Sequence, residues 1–172
     1  FCAGGAAQPT ACAPGSIAPS ANMSACELCP KGNFAASTTA CEECEAGTYA
    51  ASDGLSQCTP CPHPLSSKSG DVTCSICKKD FYLKDASTDP DDIFENPTQH
   101  CKPCPPNANC SAGTALASLG VDVSYWRASN ATSELHRCDS ETCSGGSGQP
   151  SLRRLTDGDD DPYCTAGHTG PL

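Results

Sequence analysis

Five C-x-x-C pairs, Cys26/Cys29, Cys41/Cys44, Cys58/Cys61, Cys74/Cys77 and Cys101/Cys104, recur down this chain, the first four at steps of 15 to 17 residues. Counted from each opening cysteine, four stretches align: CAPGSIAPS from Cys12, CPKGNFAAS from Cys29, CEAGTYAAS from Cys44 and CPHPLSSKS from Cys61. Serine stands at plus eight in all four (Ser20, Ser37, Ser52, Ser69). Glycine stands at plus three in the first three (Gly15, Gly32, Gly47), and Ile17, Phe34 and Tyr49 follow at plus five. A fifth stretch, CKKDFYLKD from Cys77, keeps an aromatic, Tyr82, and loses the glycine. An internal repeat of this period builds the fold from stacked units, each too small to bury a core alone. The repeated glycine predicts a tight turn of positive φ just after the opening cysteine. The units read as short hairpins and irregular turns, with the plus-five side chain on a neighbouring staple.

Little else can hold such a chain together. The hydrophobic share is 37%, much of it cysteine and alanine, and aromatics are only 5% of 172 residues. Glycine and proline, 15 each, are spread throughout. Covalent staples must therefore replace a core. Closing a loop of ~15 residues with a disulfide stabilises by about 3 kcal/mol in the chain-entropy model. Paired C-x-x-C motifs also resemble zinc ribbons. Against zinc stand the run of five pairs with unequal loops, three N-x-[ST] sequons and few basic residues, which favour disulfides in an oxidising compartment. The repetition also argues against a thioredoxin-like redox motif.

The formal net charge of −10 speaks against a nucleic-acid surface. No stretch approaches the ~18 apolar residues of a membrane span. Phe1-Cys2 and Gly170-Pro171-Leu172 lie directly in or beside cysteine-rich sequence, so both ends are expected to be cuts from a longer polypeptide or from processed material. Three regions follow: residues 1–77, an array of cysteine-rich repeats; residues 78–110, a longer degenerate unit; and residues 111–172, a C-terminal module. In the last, Gly120-Val121-Asp122-Val123-Ser124-Tyr125 alternates like one strand leading to Trp126, and Cys138, Cys143 and Cys164 are separated by a polar Gly/Ser/Asp loop.

The pattern C-P-x-G-x-[FY]-x-x-S followed by C-x-x-C, over residues 12–77, resembles the ephrin-receptor-like cysteine-rich repeat, a relative of tumour-necrosis-factor-receptor repeats. The fourth unit departs from it at Pro64 and Leu65. The segment YWRASNATSELHRC…C…YCTAGHTGPL resembles one that follows such repeats in very large cell-surface proteins of algae and other protists. Cys164-x-x-Gly167-x-x-Gly170 is similar to the last turn of an epidermal-growth-factor-like module, which would place one more cysteine beyond Leu172. The resemblance implies an elongated, extracellular array of disulfide-stapled modules with little helix. It also implies the pairs Cys12–Cys26, Cys29–Cys41, Cys44–Cys58, Cys61–Cys74 and Cys77–Cys101, although sequence leaves a crossed arrangement open. Of the remaining six cysteines, Cys104–Cys110 and Cys138–Cys143 are short closable loops. That isolates Cys2 and Cys164 for a neighbouring copy or flanking chain, with an intrachain Cys2–Cys164 bond as the alternative.

Candidate chemistry is sparse. His63, His100, His136 and His168 are scattered, and no nucleophile with an oriented base can be named. Asp157, Asp159, Asp160 and Asp161, and likewise Asp89, Asp91, Asp92 and Glu95, lack the loop length and terminal glutamate of a calcium hand. They read as solvated acid, and no metal, calcium or other cofactor is expected. Trp126 is a packing nucleus or a sugar-stacking platform; Arg127, Arg153 and Arg154 balance nearby acid. The sequons make Asn130, Asn22 and Asn109 candidates for N-glycosylation, whereas Asn96 is excluded by Pro97. The expected function is non-enzymatic: an extracellular structural glycoprotein segment, a repeating subunit or rod of a secreted filament or surface coat of the flagellar-hair kind. Its partners are copies of itself or flanking modules, with no nucleic acid and no membrane insertion. The alternative is a ligand-binding segment of a receptor ectodomain.

Overall fold

The computed structural model describes residues 11–20 and 23–138, together with the backbone of residues 146–147. It is a small disulfide-rich fold of tandem hairpins. The strands, all short, are β1 (Ser16–Ile17), β2 (Glu27–Leu28), β3 (Asn33–Ala35), β4 (Cys41–Glu43), β5 (Thr48–Tyr49), β6 (Thr59–Pro60), β7 (Leu65–Ser66), β8 (Ile76–Cys77), β9 (Phe81–Leu83) and β10 (Cys101–Pro103). After these come β11 (Ala108–Asn109), β12 (Gly120–Val121), β13 (Tyr125–Trp126), β14 (His136–Arg137) and β15 (Gly146–Ser147). Each odd strand from β1 to β13 pairs with the next, and β12 also takes β15. Two small helices, α1 (Pro90–Glu95) and α2 (Pro97–His100), lie between β9 and β10.

The chain divides into two compact units. The first comprises Phe1–Ile76 with Asp89–Pro97, the second Cys77–Thr88 with Thr98–Leu172. In the first, four hairpins are stapled by Cys12–Cys26, Cys29–Cys41, Cys44–Cys58 and Cys61–Cys74, with Cα atoms 5.6 to 5.8 Å apart. Among its described residues the buried side chains are few and mostly small: Ser16, Ile17, Cys29, Cys44, Ala50, Pro64, Leu65, Ser67, Cys74 and Ile93. The acidic run supplies the N-cap of α1, where Asp89 accepts from the Asp91 amide at 2.9 Å and relieves one orphan donor of the helix end. Phe94 of that helix then packs edge-on against Tyr49, ring centroids 5.6 Å apart.

In the second unit Cys77–Cys101 and Cys104–Cys110 are bonded. Cys138 is also in a disulfide, whose partner lies outside the described residues. Tyr82, Cys110 and Leu119 form a small core with Cys104, Ala108 and Leu116 against it.

Gly120–Tyr125 is not one strand, contrary to its alternating pattern. β12 and β13 belong to different sheets, separated by a turn in which Ser124 has φ 70°. The same turn logic governs every hairpin. The amide at plus four bonds the carbonyl at plus one in Ser16 to Ala13, Asn33 to Pro30, Thr48 to Glu45, Leu65 to Pro62, Phe81 to Lys78 and Ala108 to Pro105, and Tyr125 to Asp122 repeats it. The repeat therefore runs to a sixth turn at Cys104 and a seventh at Val121. By strand register, Leu119 and Leu135 occupy the positions held elsewhere by the closing cysteine.

Candidate functional site

Backbone hydrogen bonds between successive turns are the most regular feature of the molecule. Each uses a position fixed by the repeat. The next opening cysteine donates to the plus-three carbonyl: Cys29 to Gly15 (3.0 Å), Cys44 to Gly32 (2.9 Å), Cys61 to Gly47 (2.9 Å) and Cys104 to Asp80 (2.9 Å). The plus-three amide donates to plus six of the following turn: Gly32 to Ala50, Gly47 to Ser67 and Asp80 to Cys110. A second glycine, late in each of three turns, completes the pattern. Gly54, Gly70 and Gly113 donate to the carbonyls of Cys29, Cys44 and Cys77 at 2.7 to 2.9 Å. Those three cysteines are fully buried, so their backbone groups need protein partners, and here they find them in glycines of flanking turns.

Position plus three requires a left-handed backbone, with φ of 85°, 79° and 89° at Gly15, Gly32 and Gly47. The fifth and sixth turns place Asp80 (φ 71°) and Asn107 (φ 65°) there, two residue types that tolerate this region. Loss of the glycine thus leaves the turn intact. The fourth turn differs, because Pro64 has no N–H to give. The division between the two units falls within the last strand of this turn's hairpin, after Ile76.

Position plus six points inward: Ala50, Ser67 and Cys110 are buried there. So is Arg127, only 2% exposed. Its guanidinium donates to the carbonyls of Leu116 (2.6 Å), Ala117 (3.0 Å) and Thr132 (3.4 Å). The first two belong to the 3-10 turn Leu116–Ser118. Arg127 is thus a structural clamp on that turn and not a surface counter-charge. Arg127→Met should lower the stability of the second unit by about 2–3 kcal/mol, the worth of hydrogen bonds made by a buried charged donor. Hydrogen exchange at the Leu119 and Val121 amides measures it.

Plus eight opens a second, side-chain-held turn. Ser37 Oγ accepts from the Thr39 and Ala40 amides, and Asp85 accepts from both the amide and the hydroxyl of Ser87. The Ser87 hydroxyl and amide hold the Asp85 carboxyl below the usual carboxylate range. Ser129 does the same with the Ala131 amide, and this places Asn130 at an exposed turn. Asn109 is exposed on β11 opposite Gly120. Asn22 lies outside the described residues, as do Cys2, Cys143, Cys164, His168, Arg153, Arg154 and the acidic run at Asp157. His63 is exposed and His100 half-buried. His136 stacks on half-buried Trp126 across the β13–β14 pair, ring centroids 5.0 Å apart. Among the described residues no His, Cys, Asp and Glu group is arranged to hold a metal.

Residues 32–69, from the second turn's glycine to the fourth turn's serine, match the family model described as tyrosine-protein kinase ephrin type A/B receptor-like. This stretch is ephrin-receptor-like. It spans under a quarter of the chain and holds the whole third turn with its Cys44–Cys58 staple. No curated protein matches the chain. The disulfide ladder and the ephrin-receptor-like stretch together point to an extracellular module. Among the described residues, no helix is long and apolar enough to cross a membrane.

Proposed function

We propose that this chain is a structural segment of an extracellular glycoprotein, a repeating unit of a secreted filament or cell-surface coat, and not an enzyme. The observation that carries the reading is the turn-to-turn ladder. Buried Cys29, Cys44 and Cys77 each close their own turn with a disulfide and hold a flanking turn through the backbone. A chain built this way spaces and supports, since each unit stabilises the next. The exposed Asn130 turn suits an N-linked glycan, and Asn109 and Asn22 are further acceptors.

The ephrin-receptor-like match favours a second reading, a ligand-binding segment of a receptor ectodomain. Negative-stain images of native material distinguish the two: regular filaments support the first, discrete particles the second. Mass spectrometry after amidase release should find former glycan at Asn130. An unmodified Asn130 and Asn22 would count against an extracellular glycoprotein.

A further inference from the structure

The sequon at Asn109 carries a second reactive group. Its middle residue is Cys110, so the stretch Asn109-Cys110-Ser111 serves two chemistries. Cys110 is bonded to Cys104 at a sequence separation of 6, the shortest among the described staples, whose others span 12 to 24. The surrounding hairpin seats the whole sequon. Cys110 is only 4% exposed, and its carbonyl accepts from the Asp80 amide at 3.0 Å. Asn109 is held on β11 opposite Gly120. The Ser111 hydroxyl lies 3.3 Å from that of Thr114, and the Thr114 amide donates to the Ser111 carbonyl at 3.1 Å. The Asn109 side chain itself stays exposed. A Cβ on Gly120 would sit 3.7 Å from that of Asn109, so the glycine keeps the space beside this side chain open. The folded hairpin has room to carry a sugar there.

Acquiring the sugar is another matter. In the transfer the Asn109 amide nitrogen attacks the anomeric carbon of a lipid-pyrophosphate-linked oligosaccharide. A C–N bond forms, a C–O bond breaks, the lipid pyrophosphate leaves and an amide proton passes to a base. The sequon must also present its hydroxyl residue two positions on. In the hairpin that hydroxyl faces Thr114 and the middle residue is buried, so the acceptor must react before the hairpin closes. Closure takes two protons and two electrons from the Cys104 and Cys110 thiols. They pass by thiol–disulfide exchange to a disulfide donor of the oxidising compartment. We propose that the Cys104–Cys110 bond gates glycosylation of Asn109: chains that receive sugar before Cys110 is oxidised carry it, and chains stapled first do not. This deepens the glycoprotein reading and rests on it. The two reactions compete on one timescale. Residues 104–121, which hold the partners of the sequon other than Asp80, emerge in about 1–3 s at ~5–20 residues per second. Disulfides form in seconds or longer. Asn130 has no such competitor, because Ala131 stands in the middle of its sequon. The secreted chain is therefore a mixture of forms with and without the Asn109 glycan.

The test uses the full chain made in secretory cells. Occupancy at each sequon is read by mass spectrometry of the total intracellular pool after amidase release in heavy-oxygen water, so that any misfolded fraction is counted. Wild-type occupancy at Asn109 should lie at least about twofold below that at Asn130. Cys104→Ser, which leaves Cys110 without its local partner, should raise Asn109 at least about twofold and leave Asn130 unchanged. Brief dithiothreitol treatment of cells making the wild-type chain should do the same with no substitution. Cys77→Ala with Cys101→Ala delays folding of the same unit without freeing Cys110, and here Asn109 should stay low. Equal rises in the two cysteine variants would trace the effect to slow folding and overturn the proposal. So would wild-type Asn109 as fully occupied as Asn130, or Asn109 still empty in Cys104→Ser while Asn130 carries glycan; both outcomes leave the glycoprotein reading standing. Bare asparagine at both sites in every form defeats the two together.

Discussion

Replacing Gly32 by alanine should unfold the first unit, whereas the same change at Gly47 should be tolerated. Both glycines have positive φ, 79° and 89°, so both substitutions carry the left-handed penalty of about 1–2 kcal/mol. Space separates them. A Cβ on Gly32 would overlap the carbonyl of Gly70, which is backbone and cannot swing aside. Relief would require the second and fourth turns to part, and with them the 2.9 Å bond from the Gly70 amide to the Cys44 carbonyl. A Cβ on Gly47 meets nothing closer than Ser66 Oγ at 3.7 Å. We expect losses above about 4 kcal/mol at Gly32 and about 1–2 kcal/mol at Gly47, read from thermal unfolding with disulfides intact. Equal losses at the two sites would refute the close approach. Gly15, whose added Cβ would strike the Gly54 carbonyl, should behave like Gly32.

The second large effect comes from the third staple. Converting Cys44 and Cys58 both to alanine should cost about 3 kcal/mol by chain entropy alone, within the range of about 2–5 kcal/mol typical of small secreted domains. The damage spreads because Cys44 is tied at both ends, its amide to Gly32 and its carbonyl to Gly70. Loosening the third turn therefore releases bonds of the second and fourth. Hydrogen exchange should show the amides of Gly32, Cys44 and Gly70 losing protection together. Removing Cys104–Cys110 should cost less, about 2 kcal/mol for so short a loop, and Leu119 still packs there. Loss of protection confined to residues 44–58 would show that the turns are independent.

The cysteine and glycine spacing made the tandem hairpins legible, because a fixed period of staples and turns leaves few folds open. The last two turns were hidden because the marker residues change while the backbone does not. Asn107 and Ser124 take the left-handed position, and Leu119 and Leu135 stand at staple positions. An alternating stretch such as Gly120–Tyr125 then imitates a strand, since local alternation carries no record of the turn inside it. Nor is Arg127 readable as a buried residue from its neighbours in sequence. Its burial depends on carbonyls ten and eleven residues away. Among the sequons, only the turn-opening serine, Ser129, marks where Asn130 sits.

The staples run sequentially, and this sets how far the chain can be pulled. From Cys29 to Cys44 an unconstrained chain of 15 residues reaches about 50 Å when fully drawn out. With Cys29 bonded to Cys41, tension passes across a Cα separation of 5.6 Å and then along three residues, about 10 Å more. The turn can reach about 16 Å and no further, even with every hydrogen bond broken. Under load the array is a nearly inextensible tether whose slack is locked behind covalent loops. A reducing environment would release that slack one turn at a time.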